Sequence, residues 1–173
     1  VLGFGRIGQA TAKVALGAGM KVIAFDPFLE KAHLELEFFD GQKVGFDIKT
    51  ISKEDVLKQS DFITLHVPAQ KEYVIGEAEF EMMKKGVYIA NAARGGVVDE
   101  VALIKAIESG KVAGAALDVL NGEPGINESH PLVQYAIKND NLLIVPHIGG
   151  NTPESFEKTE LFIAKKIQSI LAL

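Results

Sequence analysis

Three groups of residues, far apart in the chain, have the types that one reaction would require. The first is Gly3-Phe4-Gly5-Arg6-Ile7-Gly8, followed 18 residues after Gly8 by Asp26 at the end of an apolar run. The second is Asn91-Ala92-Ala93-Arg94-Gly95-Gly96, with Asp118 and Glu123 further on in Leu117-Asp118-Val119-Leu120-Asn121-Gly122-Glu123-Pro124. The third is Pro146-His147-Ile148-Gly149-Gly150.

In the first group, Gly3 allows a tight turn, Gly5 lets a pyrophosphate approach the backbone, and Gly8 lets a helix pack on a strand. The helix that follows aims free N–H groups at the phosphates. A carboxylate at Asp26 would accept the ribose hydroxyls of an adenosine and repel a 2′-phosphate, which favours NAD over NADP. The alternative is a glycine turn with a surface aspartate.

Reducing a 2-oxo acid needs a cation for the carboxylate, a proton donor for the developing alkoxide, and a hydride source across the carbonyl. Arg94 suits the first task, because its planar fork grips a carboxylate with two hydrogen bonds. His147 suits the second, because the ordinary imidazole pKa of about 6.5 lies near working pH. Glu123, bonded to the imidazole, would hold the ring and favour its charged form. Each has a plainer reading: a surface arginine, a turn residue before Pro124, a packed histidine. All three follow strand-like segments, and ligands of open α/β sheets bind at those carboxyl ends. Together they point to a dehydrogenase.

Four further residues bear on the site. His66, in Leu65-His66-Val67-Pro68, ends a strand-like run and is expected near the adenine or ribose, or else in a structural role. Asp118 is expected to approach the nicotinamide, or to bond nearby backbone N–H groups. His33 and His130 sit in polar surroundings and read as surface residues.

The elements that must position these groups are legible in the hydrophobic spacing. Ile7, Ala10, Thr11, Val14, Ala15 and Ala18 share a helical face that stops at Gly19. Lys21 to Phe25 is a buried strand of the parallel kind. Residues 29–49 are less regular, and a short helix with a weak strand around Val44 to Phe46 is the expectation there. Ser52 caps a helix through about Lys58, and Asp61 to Val67 is a strand. Glu77 to Lys85 is a helix, and Val87 to Ala90 a strand. Asp99 caps a helix ending near Gly110. Val112 to Val119 and Leu142 to Val145 are strands. Thr152 and Pro153 open a last helix with a stripe of Phe156, Ile163, Ile167 and Ile170. The alternation predicts an α/β fold: a Rossmann-type doubly wound parallel sheet in a single domain with right-handed crossovers.

Bulk properties agree. The 173 residues are 47% hydrophobic with a net charge of −5, and no basic cluster invites nucleic acid or a membrane surface. Cysteine is absent, which removes disulfides and thiolate metal sites and fits a cytoplasmic, reducing location. No metal site is expected, and no apolar run approaches a membrane span of about 20 residues. Only Val1 and Leu2 precede Gly3, so a trimmed first strand and a fragment of a longer protein are expected.

These motifs resemble the D-isomer-specific 2-hydroxyacid dehydrogenases over nearly the whole chain. The resemblance implies NAD as cofactor and a small 2-hydroxy or 2-oxo acid as substrate. It places Arg94, Glu123 and His147 in catalysis. It places cofactor contacts at Arg6, Ile7, Asp26, Asp118 and the loop Ala92, Ala93, Arg94. Gly149 and Gly150 beside His147 complete that lining, as do Val67 and Pro68 beside His66. Ala92 to Glu100 and the short stretch Pro68 to Glu72 look most like D-3-phosphoglycerate dehydrogenases. The family's substrate domain is missing, so residues 1–150 read as the NAD-binding domain and 151–173 as a helix leading towards that other domain. Pairing through this domain is also implied, with Glu79 to Met83 and Leu132 to Ile137 as candidate contacts. An NAD-sensing, corepressor-like binding protein is the alternative function.

Overall fold

Parallel strands alternate with helices along most of the computed structural model, which describes residues 1–171. Four strands pair in parallel in the order β3 (Phe62–Leu65), β4 (Val87–Asn91), β5 (Val112–Leu117) and β6 (Leu142–Ile144). Three short extended pieces continue that sheet. Leu2 bridges both Leu65 and Phe25, and Ala24 bridges Thr50, all in parallel. The spatial order is therefore 50–51, 24–25, 1–2, β3, β4, β5, β6. The order reverses between residues 1–2 and β3, which is where an open α/β sheet forms its ligand crevice.

Two cores lie on opposite sides. On one, α2 (Lys53–Gln59), α3 (Glu77–Met82), α4 (Glu100–Glu108) and α5 (Pro131–Ala136) pack Leu57, Phe80, Leu103 and Leu132 against Ile63, Ile89 and Leu117 of the sheet. On the other, α1 (Arg6–Gly17) and a hairpin of β1 (Lys31–Glu37) and β2 (Lys43–Lys49) enclose Phe4, Ala12, Ala24, Leu34 and Ile48. Right-handed crossovers account for the division, because the chain moves one way from the first strand and the opposite way from β3 onward.

The hairpin replaces the short helix expected within 29–49, while the weak strand expected around Val44 to Phe46 is present as part of β2. Val44, Phe46 and Ile48 alternate with polar or small residues, a period of two that belongs to a strand. Across the antiparallel register they face Leu36, Leu34 and Ala32. Gly41, at φ 81°, supplies the left-handed residue the turn needs. Two other differences are smaller. The helix from Glu77 ends at Met82, and α5 was not expected. Pro131 at its first turn marked that start.

The last helix, α6 (Pro153–Leu171), forms as its cap residues predict, with Ser155 N–H donating to Thr152 Oγ1. None of its described residues is buried. One contact to the domain is made through Arg6, whose guanidinium sits 5.0 Å above the Phe162 ring. Phe80, Met83 and Leu132, expected at a pairing surface, are instead in the core.

Candidate active site

The glycine turn is built by close backbone approach. A Cβ on Gly3 would strike the His66 carbonyl, and one on Gly8 would strike the Gly3 carbonyl. Gly3 also sits at φ 87°, where L side chains are strained. Gly5 differs, because nothing lies within 4 Å of a Cβ there. That open space, against the N-terminus of α1, is the part of the turn a pyrophosphate needs. Arg6 and Ile7, the first helical residues, are exposed beside it. Asp26 closes the other end. Its Oδ2 accepts from Phe4 N–H at 2.7 Å, and its Oδ1 from Phe28 N–H at 2.9 Å. Each oxygen keeps a lone pair for a hydroxyl. The residues therefore fit a dinucleotide.

His66 contributes its carbonyl to the packing around Gly3, while its imidazole bonds Thr64 Oγ1 at 3.0 Å. Burial pushes this imidazole below its ordinary pKa. Val67 is half-buried and Pro68 exposed next to it.

Three loops at the strand ends hold one another. Asn91 shapes the first: its Oδ1 accepts from Ala93 N–H and its Nδ2 donates to the Arg94 carbonyl, both at 3.0 Å. Ala93 is buried, and Ala92 and Arg94 are exposed on either side. The Arg94 guanidinium donates one bond, to the Ala93 carbonyl at 2.6 Å, and keeps its other donors. Gly95 then passes so close to Leu120 that a Cβ would strike its carbonyl.

In the second loop Glu123 Oε1 accepts from Leu120 N–H at 2.7 Å. Its Oε2 lies 2.6 Å from His147 Nδ1. His147 belongs to the third loop, where its backbone adopts φ 54°, left-handed and unusual for this residue. Such strain persists only where surrounding bonds fix it. Asp118 supplies them, since its oxygens accept from Ile148 N–H at 2.7 Å and Gly149 N–H at 2.9 Å. Asp118 is buried, so backbone bonding is the work its carboxylate does here. Gly149 and Gly150 are exposed at the loop's end.

Arg94's loop, Glu123 and His147 are thus brought to the carboxyl ends of β4, β5 and β6. The sequence did not reveal the side-chain work of Asn91, or Glu100 and His130 behind the second loop. His33 is on the surface as expected, paired with Asp47 at 2.8 Å. His130 is not, for its side chain is only 16% exposed. Its Nε2 lies 3.3 Å from the Glu100 carboxylate. Among the described residues no cluster of His, Asp and Glu could hold a metal ion, and no helix is long and apolar enough to cross a membrane.

A glycine turn at a helix N-terminus, a carboxylate at the next strand's end and a crevice at the strand reversal define a dinucleotide-binding domain. Residues 1–149 match the D-isomer specific 2-hydroxyacid dehydrogenase NAD binding domain, and the chain belongs to that family. It is 43% identical to a D-3-phosphoglycerate dehydrogenase of Archaeoglobus fulgidus, over 96% of this chain and 29% of that protein. It is 42% identical to a glyoxylate reductase of Thermococcus litoralis, over 96% of this chain and 46% of that protein. Among solved structures, D-lactate dehydrogenase from Aquifex aeolicus complexed with NAD and lactic acid superposes with a TM-score of 0.73. That match has 33% identity and covers 99% of this chain and 52% of the other. The chain therefore spans about half or less of the length of these relatives.

Proposed function

We propose that this chain is the cofactor half of an NAD-dependent oxidoreductase that interconverts a D-2-hydroxy acid and its 2-oxo acid. The observation that carries the reading is the 2.6 Å pair of His147 Nδ1 and Glu123 Oε2, held beside a glycine cradle that fits a dinucleotide. Residues 1–150 form the NAD-binding domain, and the helix Pro153–Leu171 leads away from it, while residues 172–173 lie outside the described residues. Gly3, Gly5, Arg6, Ile7 and Gly8 receive the pyrophosphate, and Asp26 the adenosine ribose. His66, Val67, Pro68, Ala92, Ala93, Arg94, Asp118, His147, Gly149 and Gly150 line the rest of the cofactor's path.

When bound, NADH supplies the hydride. Arg94 uses the donors left free by Ala93 to hold the substrate carboxylate. Glu123 occupies Nδ1 of His147, so Nε2 faces outward with the proton for the alkoxide oxygen. In the oxidative direction the same nitrogen takes the proton from the substrate hydroxyl. Asp118 fixes the backbone on which His147 rides.

Identity supports 3-phosphoglycerate and glyoxylate almost equally as relatives' substrates, at 43% and 42%. The cysteine-free composition supports a cytoplasmic setting, and the bare sheet face discussed below supports a homodimer. The relatives named here are dehydrogenases and a reductase, and no feature of the site favours a dinucleotide-sensing corepressor.

Steady-state reduction of several 2-oxo acids by NADH, with the full-length protein, tests the reading. His147→Ala should lower kcat by about 10²–10⁴-fold with little change in cofactor affinity, as expected for loss of a general acid. A normal kcat in that variant would overturn the proposed mechanism.

A further inference from the structure

Behind the His147–Glu123 pair lies a second imidazole and carboxylate. Glu100, the first residue of α4, and His130, the cap residue before α5, have side chains 18% and 16% exposed. Glu100 Oε2 is 3.3 Å from His130 Nε2. Glu100 Oε1 accepts from Asn121 N–H at 2.7 Å. His130 Nδ1 is buried with no hydrogen-bond partner, and the ring's ion-pair partner among the described residues is Glu100.

Helix N-termini favour a carboxylate in their first turn, but an exposed one suffices for that. Here the carboxylate is drawn inward, where burial, reinforced by the Asp99 and Glu123 carboxylates and opposed by Asn121 N–H and His130, pushes its pKa up. A group kept buried against such a cost is held by its bonds. Those bonds lead to the reacting residues. Leu120 N–H donates to Glu123 and the next amide, Asn121 N–H, donates to Glu100. Two carboxylates thus grip consecutive amides of one loop, at the point where Gly95 of the arginine loop packs closest.

We propose that Glu100, backed by His130, is a positioning residue: it fixes the loop 120–123 so that Glu123 meets His147 and Gly95 seats Arg94. The inference deepens the dehydrogenase reading above and rests on it for its kinetic consequence. Glu100 touches neither substrate nor cofactor. Its effect is geometric, and displacements of about 1 Å in such a site cost up to about 10²-fold in rate.

The test uses the full-length protein with Glu100→Ala and Glu100→Gln. The glutamine keeps an oxygen for Asn121 N–H, and the alanine does not. By NMR, the Asn121 amide should exchange at least about tenfold faster in Glu100→Ala, a loss of one bond to a charged acceptor. The downfield His147 Nδ1 proton should broaden in that variant, and both signals should be preserved in Glu100→Gln. In turnover, Glu100→Ala should lose about ten- to a hundredfold in kcat at unchanged KM for NADH, and Glu100→Gln should recover most of it. Glu100→Ala should cost less on top of Glu123→Gln than on its own, because part of its effect passes through Glu123. Unchanged Asn121 and His147 signals in Glu100→Ala would overturn the inference. So would equal losses in both variants that follow their melting temperatures. A protein inactive towards every 2-oxo acid would defeat the dehydrogenase reading, while the NMR comparison would still decide this one.

Discussion

Asp26 does two things at once. Its oxygens hold the amides of Phe4 and Phe28, which draws the glycine turn and the next loop together. The remaining lone pairs face the place where an adenosine ribose belongs. Neither neighbour, Phe25 nor Pro27, is a cation that could neutralise a 2′-phosphate. NAD should therefore bind more tightly than NADP, and Asp26→Ala should narrow the difference by removing a contact for one and a repulsion for the other. Calorimetric titration with both cofactors measures this, and equal affinities for the unaltered protein would refute it. Residues of this kind were legible because their chemistry needs neighbours in sequence: a glycine spacing, a strand end. Glu100 and His130 were not, because Glu100 is distinguished by a bond to Asn121 and His130 by its place against Glu100, contacts distant in sequence that no local pattern encodes.

The elements translate those residues into geometry, and the glycine turn makes that testable. Gly5 has φ −68° and free space around its Cβ position, so alanine fits the backbone there. Gly5→Ala should change folding stability by less than about 1 kcal/mol, yet weaken NAD binding, because the methyl group enters the space left for the pyrophosphate. Gly8→Ala should do the reverse in order of severity. Its Cβ meets the Gly3 carbonyl, and forcing the helix off the strand should cost about 1–3 kcal/mol or more. Thermal melts with and without NAD separate the two. The same stability for both variants would contradict the packing described.

A second element-scale prediction concerns α3. Burial pushes Glu79 up, but Lys53 at 2.9 Å and the Gly76 N–H at 2.9 Å together outweigh it and set its pKa below the ordinary 4.5. A carboxyl group whose folded pKa is depressed adds stability above its unfolded pKa and loses it as pH falls through the folded value. Glu79→Gln should therefore lower stability at neutral pH and flatten the acid side of the curve of Tm against pH. A parallel displacement at all pH values would show that charge is not the cause.

Most helices and the parallel strands were readable from periodicity and caps, as with Asp99, whose Oδ1 accepts from Val101 and Ala102 N–H. The hairpin of 31–49 is legible only in its second strand, around Val44 to Phe46, because the alternation of Leu34 and Leu36 with Glu35 and Glu37 is too short to separate a strand from a helical turn. Its register becomes clear only once it packs on α1.

At the scale of the whole chain, the crossovers leave one sheet face uncovered among the described residues. Helices α2 to α5 lie on one side of β3 to β6, while α1 and the hairpin cover the other side only near residues 1–2 and 24–25. The remainder is an open groove of about 1010 Å³ whose lining includes Phe62, Thr64, Tyr88, Ala90, Ala116 and Leu143. Phe62 and Tyr88 stack there with centroids 5.1 Å apart, and with Leu143 they are about half exposed. A contiguous apolar face of this sort promotes association in water. Of the segment Glu79 to Met83, Phe80 and Met83 are buried in the core. The homodimer proposed for this chain is tested at this sheet face. Light scattering at micromolar concentration should give a dimer mass. Phe62→Lys with Tyr88→Lys should shift it to monomer, because two like charges would face their counterparts across the contact. Folding should survive, since each replaced side chain is already about half in solvent and surface changes of this kind usually stay within about 0.5 kcal/mol. A monomer before substitution, or a dimer that persists after it, would place the contact elsewhere or remove it.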